Sequence, residues 1–144
     1  MKAYFDTTVL VAACIIGHSH HNQAAAVMQT TRTKKLNACT SVHALAEFYS
    51  VLTRAPFTPP VYPSEAWQLL STNILPSFDL ITLTPKEYLE AIQNCALQGW
   101  SGGRVYDALH LRCAQKFGCD RIYTFNLRHF KQLSPELADR VISP

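Results

Sequence analysis

Short β-like runs alternate with longer helical ones along the whole chain, and that alternation leaves few folds open. The runs at 2–6, 37–40, 79–83, 121–125 and 140–143 read as strands, and 7–15, 20–32, 42–54, 63–74, 85–98, 104–117 and 127–132 read as helices. Strands separated by helices pair in parallel, because each crossover returns the chain to the same end of the sheet. The punctuation agrees. Thr84-Pro85-Lys86-Glu87 reads as an N-cap followed by proline at the first helical position, and Gly102-Gly103 and Gly118 bracket another helix. Pro56, Pro59, Pro60 and Pro63 mark a loop between helices; neither side of it is long enough to fold well alone, so residues 1–144 are expected to form a single domain.

Several function classes drop out early. No apolar run reaches the roughly 18 residues that suggest a membrane span, and the start lacks a basic segment followed by an apolar stretch and cleavage site. The expectation is a cytoplasmic protein without membrane contact. Five cysteines without a Cys-x-x-Cys pair are expected to be reduced thiols rather than disulfides or zinc ligands. There is no Gly-x-x-x-x-Gly-Lys phosphate loop, no Gly-x-Ser-x-Gly elbow and no Gly-x-Gly-x-x-Gly turn after a strand. A net charge of +3 allows a polyanionic partner without requiring one. The basic cluster Arg32, Lys34 and Lys35 reads as solvated surface.

Four polar residues stand where the pattern calls for something else. Asp6 and Asn126 follow apolar runs and precede helices, so both sit at the carboxyl edge of a parallel sheet, where ligands gather. Glu47 lies at the edge of the apolar stripe Ala44, Leu45, Phe48, Val51 and Leu52. Asp107 shares its helix face with Leu111 and Ala114, where an ionised acid is costly unless paired. Each has a plain explanation: helix N-caps for Asp6 and Asn126, a boundary ion pair for Glu47, a buried ion pair for Asp107. Taken together, three carboxylates and an amide are the oxygen ligands that hard divalent cations select.

These residues sit in segments that resemble a known family. Tyr4-Phe5-Asp6-Thr7-Thr8-Val9-Leu10-Val11, Ala46-Glu47-Phe48-Tyr49, Gly103-Arg104-Val105-Tyr106-Asp107-Ala108-Leu109-His110 and Thr124-Phe125-Asn126-Leu127-Arg128-His129 are similar, in order, to the motifs of PIN-domain ribonucleases. They most resemble the VapC-like toxin subunits of type II toxin-antitoxin modules. The resemblance implies a three-layer α/β/α fold with a central parallel sheet of four or five strands. It also implies Mg2+ or Mn2+ held for cleavage of single-stranded RNA, a small antitoxin partner and a homodimer.

Residue by residue, Asp6, Glu47 and Asp107 match the family's core acids, and Asn126 stands where aspartate is frequent. Asp6 and Asp107 would bind the metal directly, Glu47 would bind it or hold and deprotonate water, and Asn126 would hold a second ion or a bridging water. Its amide keeps an oxygen but removes one negative charge. Thr8 and Thr124 match positions where a hydroxyl supports the acids. Such a site suits phosphodiester hydrolysis, since a bound cation lowers the pKa of water and neutralises phosphate oxygens.

Arg104 and Arg128 are candidates for gripping RNA phosphates, and Tyr106 or Trp100 for stacking a base, with core packing the plainer use of the aromatics. His18-Ser19-His20-His21 reads as solvent-facing, and His110 as packing against or supporting the acids. The rival reading is a catalytically weak PIN-fold RNA-binding or assembly module that keeps the acids for structure or partner contacts.

Overall fold

A computed structural model describes residues 1–33 and 36–144; Lys34 and Lys35 of the expected basic cluster lie outside the described residues. Among the described residues, five strands form one parallel sheet: β1 (Lys2–Phe5), β2 (Asn37–Ser41), β3 (Asp79–Ile81), β4 (Arg121–Tyr123) and β5 (Val141–Ile142), in the order β3-β2-β1-β4-β5. Tyr4 pairs with Cys39 on one side and Ile122 on the other. Strand progression reverses at β1, since β2 and β3 lie to one side and β4 and β5 to the other. The crevice between the ends of β1 and β4 is therefore the topological switch point.

Among the described residues, seven α-helices cover the sheet: α1 (Thr7–Cys14), α2 (His21–Thr33), α3 (Val42–Arg54), α4 (Pro63–Leu69), α5 (Pro85–Gln98), α6 (Arg104–Phe117) and α7 (Leu127–Leu133). The pleat divides the core in two. Ala3, Phe5, Ala38 and Tyr123 point to one face, where Val9, Leu10, Met28, Ala44, Phe48 and Leu52 pack on them. Tyr4, Cys39 and Ile122 point to the other, against Leu109, Cys113, Phe130 and Leu137. Helices on both faces bury residues that point either way from β1, β2 and β4, which explains the lack of strict alternation in the sequence.

Local signals set most helix ends. Ser41 caps α3 by accepting from Ala44 N at 3.1 Å. Thr84 and Glu87 form the reciprocal capping box at α5. Gly99 and Gly118, at φ 71° and 70°, stop α5 and α6 in the left-handed conformation that only glycine adopts cheaply.

Two expected elements change character. The helix expected over 63–74 ends at Leu69 and runs into a π-helical turn, Leu70–Ile74, with Leu75 N bonded to Leu70 O. That wider turn buries both Leu70 and Ile74 in the first core. The strand expected over 140–143 shrinks to β5 and is preceded by a 3-10 helix, Pro135–Arg140.

All five cysteines are free, and Cys39 Sγ and Cys119 Sγ lie 3.3 Å apart as a buried thiol pair. No described helix is long and apolar enough to cross a membrane. Phe48 is fully buried between α3 and the sheet. Phe48→Ala should therefore cost about 3–5 kcal/mol in urea unfolding; a loss under 1 kcal/mol would mean that this face does not form the core described.

Candidate active site

Asp6 leaves β1 at the switch point and caps α1 from an extended backbone. Its Oδ1 accepts from Thr8 Oγ1 at 2.6 Å and Val9 N at 3.1 Å, and its Oδ2 accepts from Thr124 Oγ1 at 2.7 Å. Thr8 and Thr124 also bind the β4–α7 connection: Phe125 N donates to Thr8 Oγ1 at 3.2 Å, and Asn126 N donates to Thr124 Oγ1 at 2.9 Å. The carboxylate is only 2% exposed. Burial pushes its pKa above the ordinary carboxylate range, against the lowering effects of His110, Thr124, Thr8 and Val9.

Asp107 sits in the first turn of α6, half-buried, with Oδ2 3.6 Å from His129 Nδ1. Its pKa is raised as well, by burial first and then by the charges of Asp6 and Glu47, while His110 and His129 pull it down. Glu47 comes from α3. Burial raises its carboxyl, but His110, His43 and Thr7 outweigh burial and hold it below the ordinary value. Asp6, Glu47 and Asp107 thus share one electrostatic neighbourhood, and His110 acts on all three.

The remaining expected residues are placed less tightly. Asn126 occupies the N-cap position of α7 but makes no side-chain capping bond, so its amide is exposed and uncommitted. Arg104 opens α6 and Arg128 lies in the first turn of α7; neither has an ion-pair partner among the described residues. Tyr106 is 51% exposed, whereas Trp100 packs against the second core. A cavity of about 540 Å³ lies elsewhere, lined by Ile15, Ile16, Phe57, Pro60, Val61 and Leu69.

Sequence reasoning missed His43. It stands four residues before Glu47 on α3, with Nε2 3.3 Å from Glu47 Oε1. His110 Nε2 reaches the same oxygen at 3.2 Å, and its Nδ1 pairs with the Tyr4 hydroxyl at 2.6 Å. Both contacts to Oε1 are close without hydrogen-bond alignment, so that oxygen is buried with no aligned donor. Desolvation, with His110 adding to it, drops His43 to about 4. The available signal was the i, i+4 spacing, which puts both side chains on one helix face.

A buried carboxylate at the switch point of a parallel α/β/α sheet, with two further acids beside it, defines a PIN-like fold. A sequence model of the PIN domain matches residues 3–134, and the chain belongs to that family. Within the family it is VapC-like. Ribonuclease VapC27 of Mycobacterium tuberculosis is 33% identical over 104 residues, covering 72% of this chain and 70% of the relative. Two solved structures share the fold at 17% identity. VapC20 of M. tuberculosis, a sarcin-ricin loop cleaving toxin, gives a TM-score of 0.69 over 93% of this chain and 94% of its own. VapBC2 of Rickettsia felis, bound to a DNA fragment from its promoter, gives 0.71 over 100% and 99%.

The raised carboxyls fix the sign of a pH effect. Asp6 and Asp107 hold protons more tightly folded than unfolded, so their ionisation destabilises the metal-free chain. The penalty is absent below about pH 4, grows as pH passes through the raised folded values, and is complete above them. With EDTA present, Asp107→Asn should melt higher than the parent near pH 7, and the gap should close below about pH 4. A gap equal at both pH values contradicts the electrostatic account.

Proposed function

We propose that this protein is a divalent-metal-dependent endoribonuclease that cuts single-stranded RNA and serves as the toxin of a toxin-antitoxin pair. The observation that carries the reading is Asp6, buried and held by three donors beside Asp107 and Glu47. Two of these three acids are pushed toward protonation, which is the state a bound cation would reverse. The donor set fits Mg2+ or Mn2+: it is all oxygen, and Glu47 Oε1 is buried without an aligned donor. When bound, such an ion supplies charge neutralisation at the phosphate and a more acidic water.

Asp6 and Asp107 are the residues that would hold it. Glu47 would orient the attacking water and take its proton, and its lowered pKa keeps it ionised for that task. Thr8 and Thr124 lock the Asp6 carboxylate from two sides, leaving it little freedom to turn away. Asn126, uncommitted at the mouth of α7, would hold a second ion or a water with a neutral oxygen. Arg104 and Arg128 would grip phosphates on either side without reading sequence.

The names of the relatives support the biological role, since VapC27 is named a ribonuclease and VapC20 a sarcin-ricin loop cleaving toxin. A small antitoxin, a homodimer, a single nuclease domain and a cytoplasmic location belong to the same reading.

Purified protein incubated with single-stranded RNA should cleave it with Mg2+ or Mn2+, and Asp6→Ala or Asp107→Ala should fall to the level of the EDTA control. Cleavage that survives EDTA or both substitutions ends this reading. Asn126→Asp restores a negative charge and should tighten Mn2+ binding in titration calorimetry; unchanged or weaker affinity would show that the charge at this position does not limit occupancy.

A further inference from the structure

We propose that His43, Glu47 and His110 form a second cation site, built for a borderline transition metal of the zinc class rather than for magnesium. Its ligand atoms come from two elements that the core holds in place. His43 and Glu47 stand one turn apart on α3, anchored by the buried Ala44, Phe48 and Leu52, and His110 enters from α6 at 2% exposure. His43, Glu47 and His110 each offer one ligand atom, and the three atoms lie within 4.8 Å of one another. The two contacts to the carboxylate oxygen are 3.3 and 3.2 Å. A tetrahedral zinc ion with bonds of about 2.0–2.1 Å holds neighbouring ligand atoms about 3.3–3.4 Å apart. The carboxylate therefore already stands at the separation from each imidazole that such an ion requires.

The donor types, the free carboxylate oxygen and the Tyr4 contact favour this use of the three side chains. Two imidazoles and one carboxylate are a zinc-type donor set that leaves a fourth position open, whereas magnesium selects oxygens in an octahedron. Glu47 Oε1 is buried and receives no aligned hydrogen bond, so it keeps a lone pair for an ion. His110 presents Nε2 as a ligand when Nδ1 carries the proton and donates to the Tyr4 hydroxyl, a partner 2.6 Å away that fixes the ring. The phenol can accept that proton because a hydroxyl both donates and accepts. Ser41 Oγ lies 3.4 Å from His43 Nε2 and Thr7 Oγ1 3.3 Å from His110 Nε2, so each hydroxyl gives up its contact with the ring nitrogen when an ion takes that lone pair.

The two imidazoles belong to this site alone, and Glu47 is shared with the proposed nuclease centre. The consequence for catalysis rests on the proposed nuclease reading: an ion between the two imidazoles engages Glu47 Oε1, so the two centres compete for one carboxylate.

The test uses the full 144-residue chain without a polyhistidine tag, stripped with EDTA and titrated with Co2+. The expected result is one ion per chain with the strong visible bands of four- or five-coordinate cobalt, displaced by one equivalent of Zn2+. His43→Gln, checked for folding by circular dichroism, should weaken binding at least about tenfold. His20→Gln, at an exposed position just before α2, should leave binding unchanged. X-ray absorption on the zinc-loaded parent should show two imidazoles and a carboxylate oxygen, and it decides the matter should His43→Gln fail to fold. The proposal is overturned by a weak octahedral cobalt spectrum, by thiolate charge-transfer bands, by fewer than two imidazoles at zinc, or by binding that depends on His20 and not on His43. Because these readouts do not involve RNA, loss of nuclease activity and loss of this site are told apart.

Discussion

The carboxylate of Asp6 holds the centre of this molecule together. Its two oxygens take three hydrogen bonds, from the following helix and from the end of β4, while its backbone N–H donates to Tyr123 O at 3.1 Å. The threonines that hold it also bind the backbone of Phe125 and Asn126. The strands on either side of the switch point are thus clamped through one acid. A buried charge normally weakens a fold, and here three donors offset only part of the desolvation cost, since the carboxyl still resists ionisation. Such a penalty is expected where a chain keeps an acid for binding rather than for stability.

The histidines show how one residue can serve several neighbours. His110 lies between Tyr4 and the acids, so a ring packed edge-on against Tyr4 in the second core also sets the charge balance at the sheet edge. His43 is bound into the same group through Glu47 and through ring contact with His110 at 4.4 Å. The acid centre is therefore backed by imidazole on the α3 and α6 side and by hydroxyls on the β4 side, two environments with different preferences for metal ions.

Much of the fold was readable because the signals were local. The expected bounds of α3, α5 and α6 coincide with those observed, and each has a capping residue or a terminal glycine to mark it. Most strand ends were read too long, whereas β2 runs one residue past its expected end, to Ser41. The run expected over 79–83 stops at Ile81, the last residue paired with β2, and the run over 121–125 stops at Tyr123, where the chain turns to deliver Thr124 to Asp6. The π turn after Leu69 left no mark in the sequence, because its register is decided by which leucine and isoleucine reach the core. The acids stood out as charges in apolar stripes, but the grouping of His43 with His110 depends on helix packing, which spacing along the chain does not encode.

The outer strands of the sheet have a consequence for assembly. β3 has three residues and β5 only two, so each border offers little unpaired backbone on which another polypeptide could be laid. Companions of this molecule must then meet it through helices and connecting loops, and lateral growth of the sheet into polymers is discouraged by geometry alone.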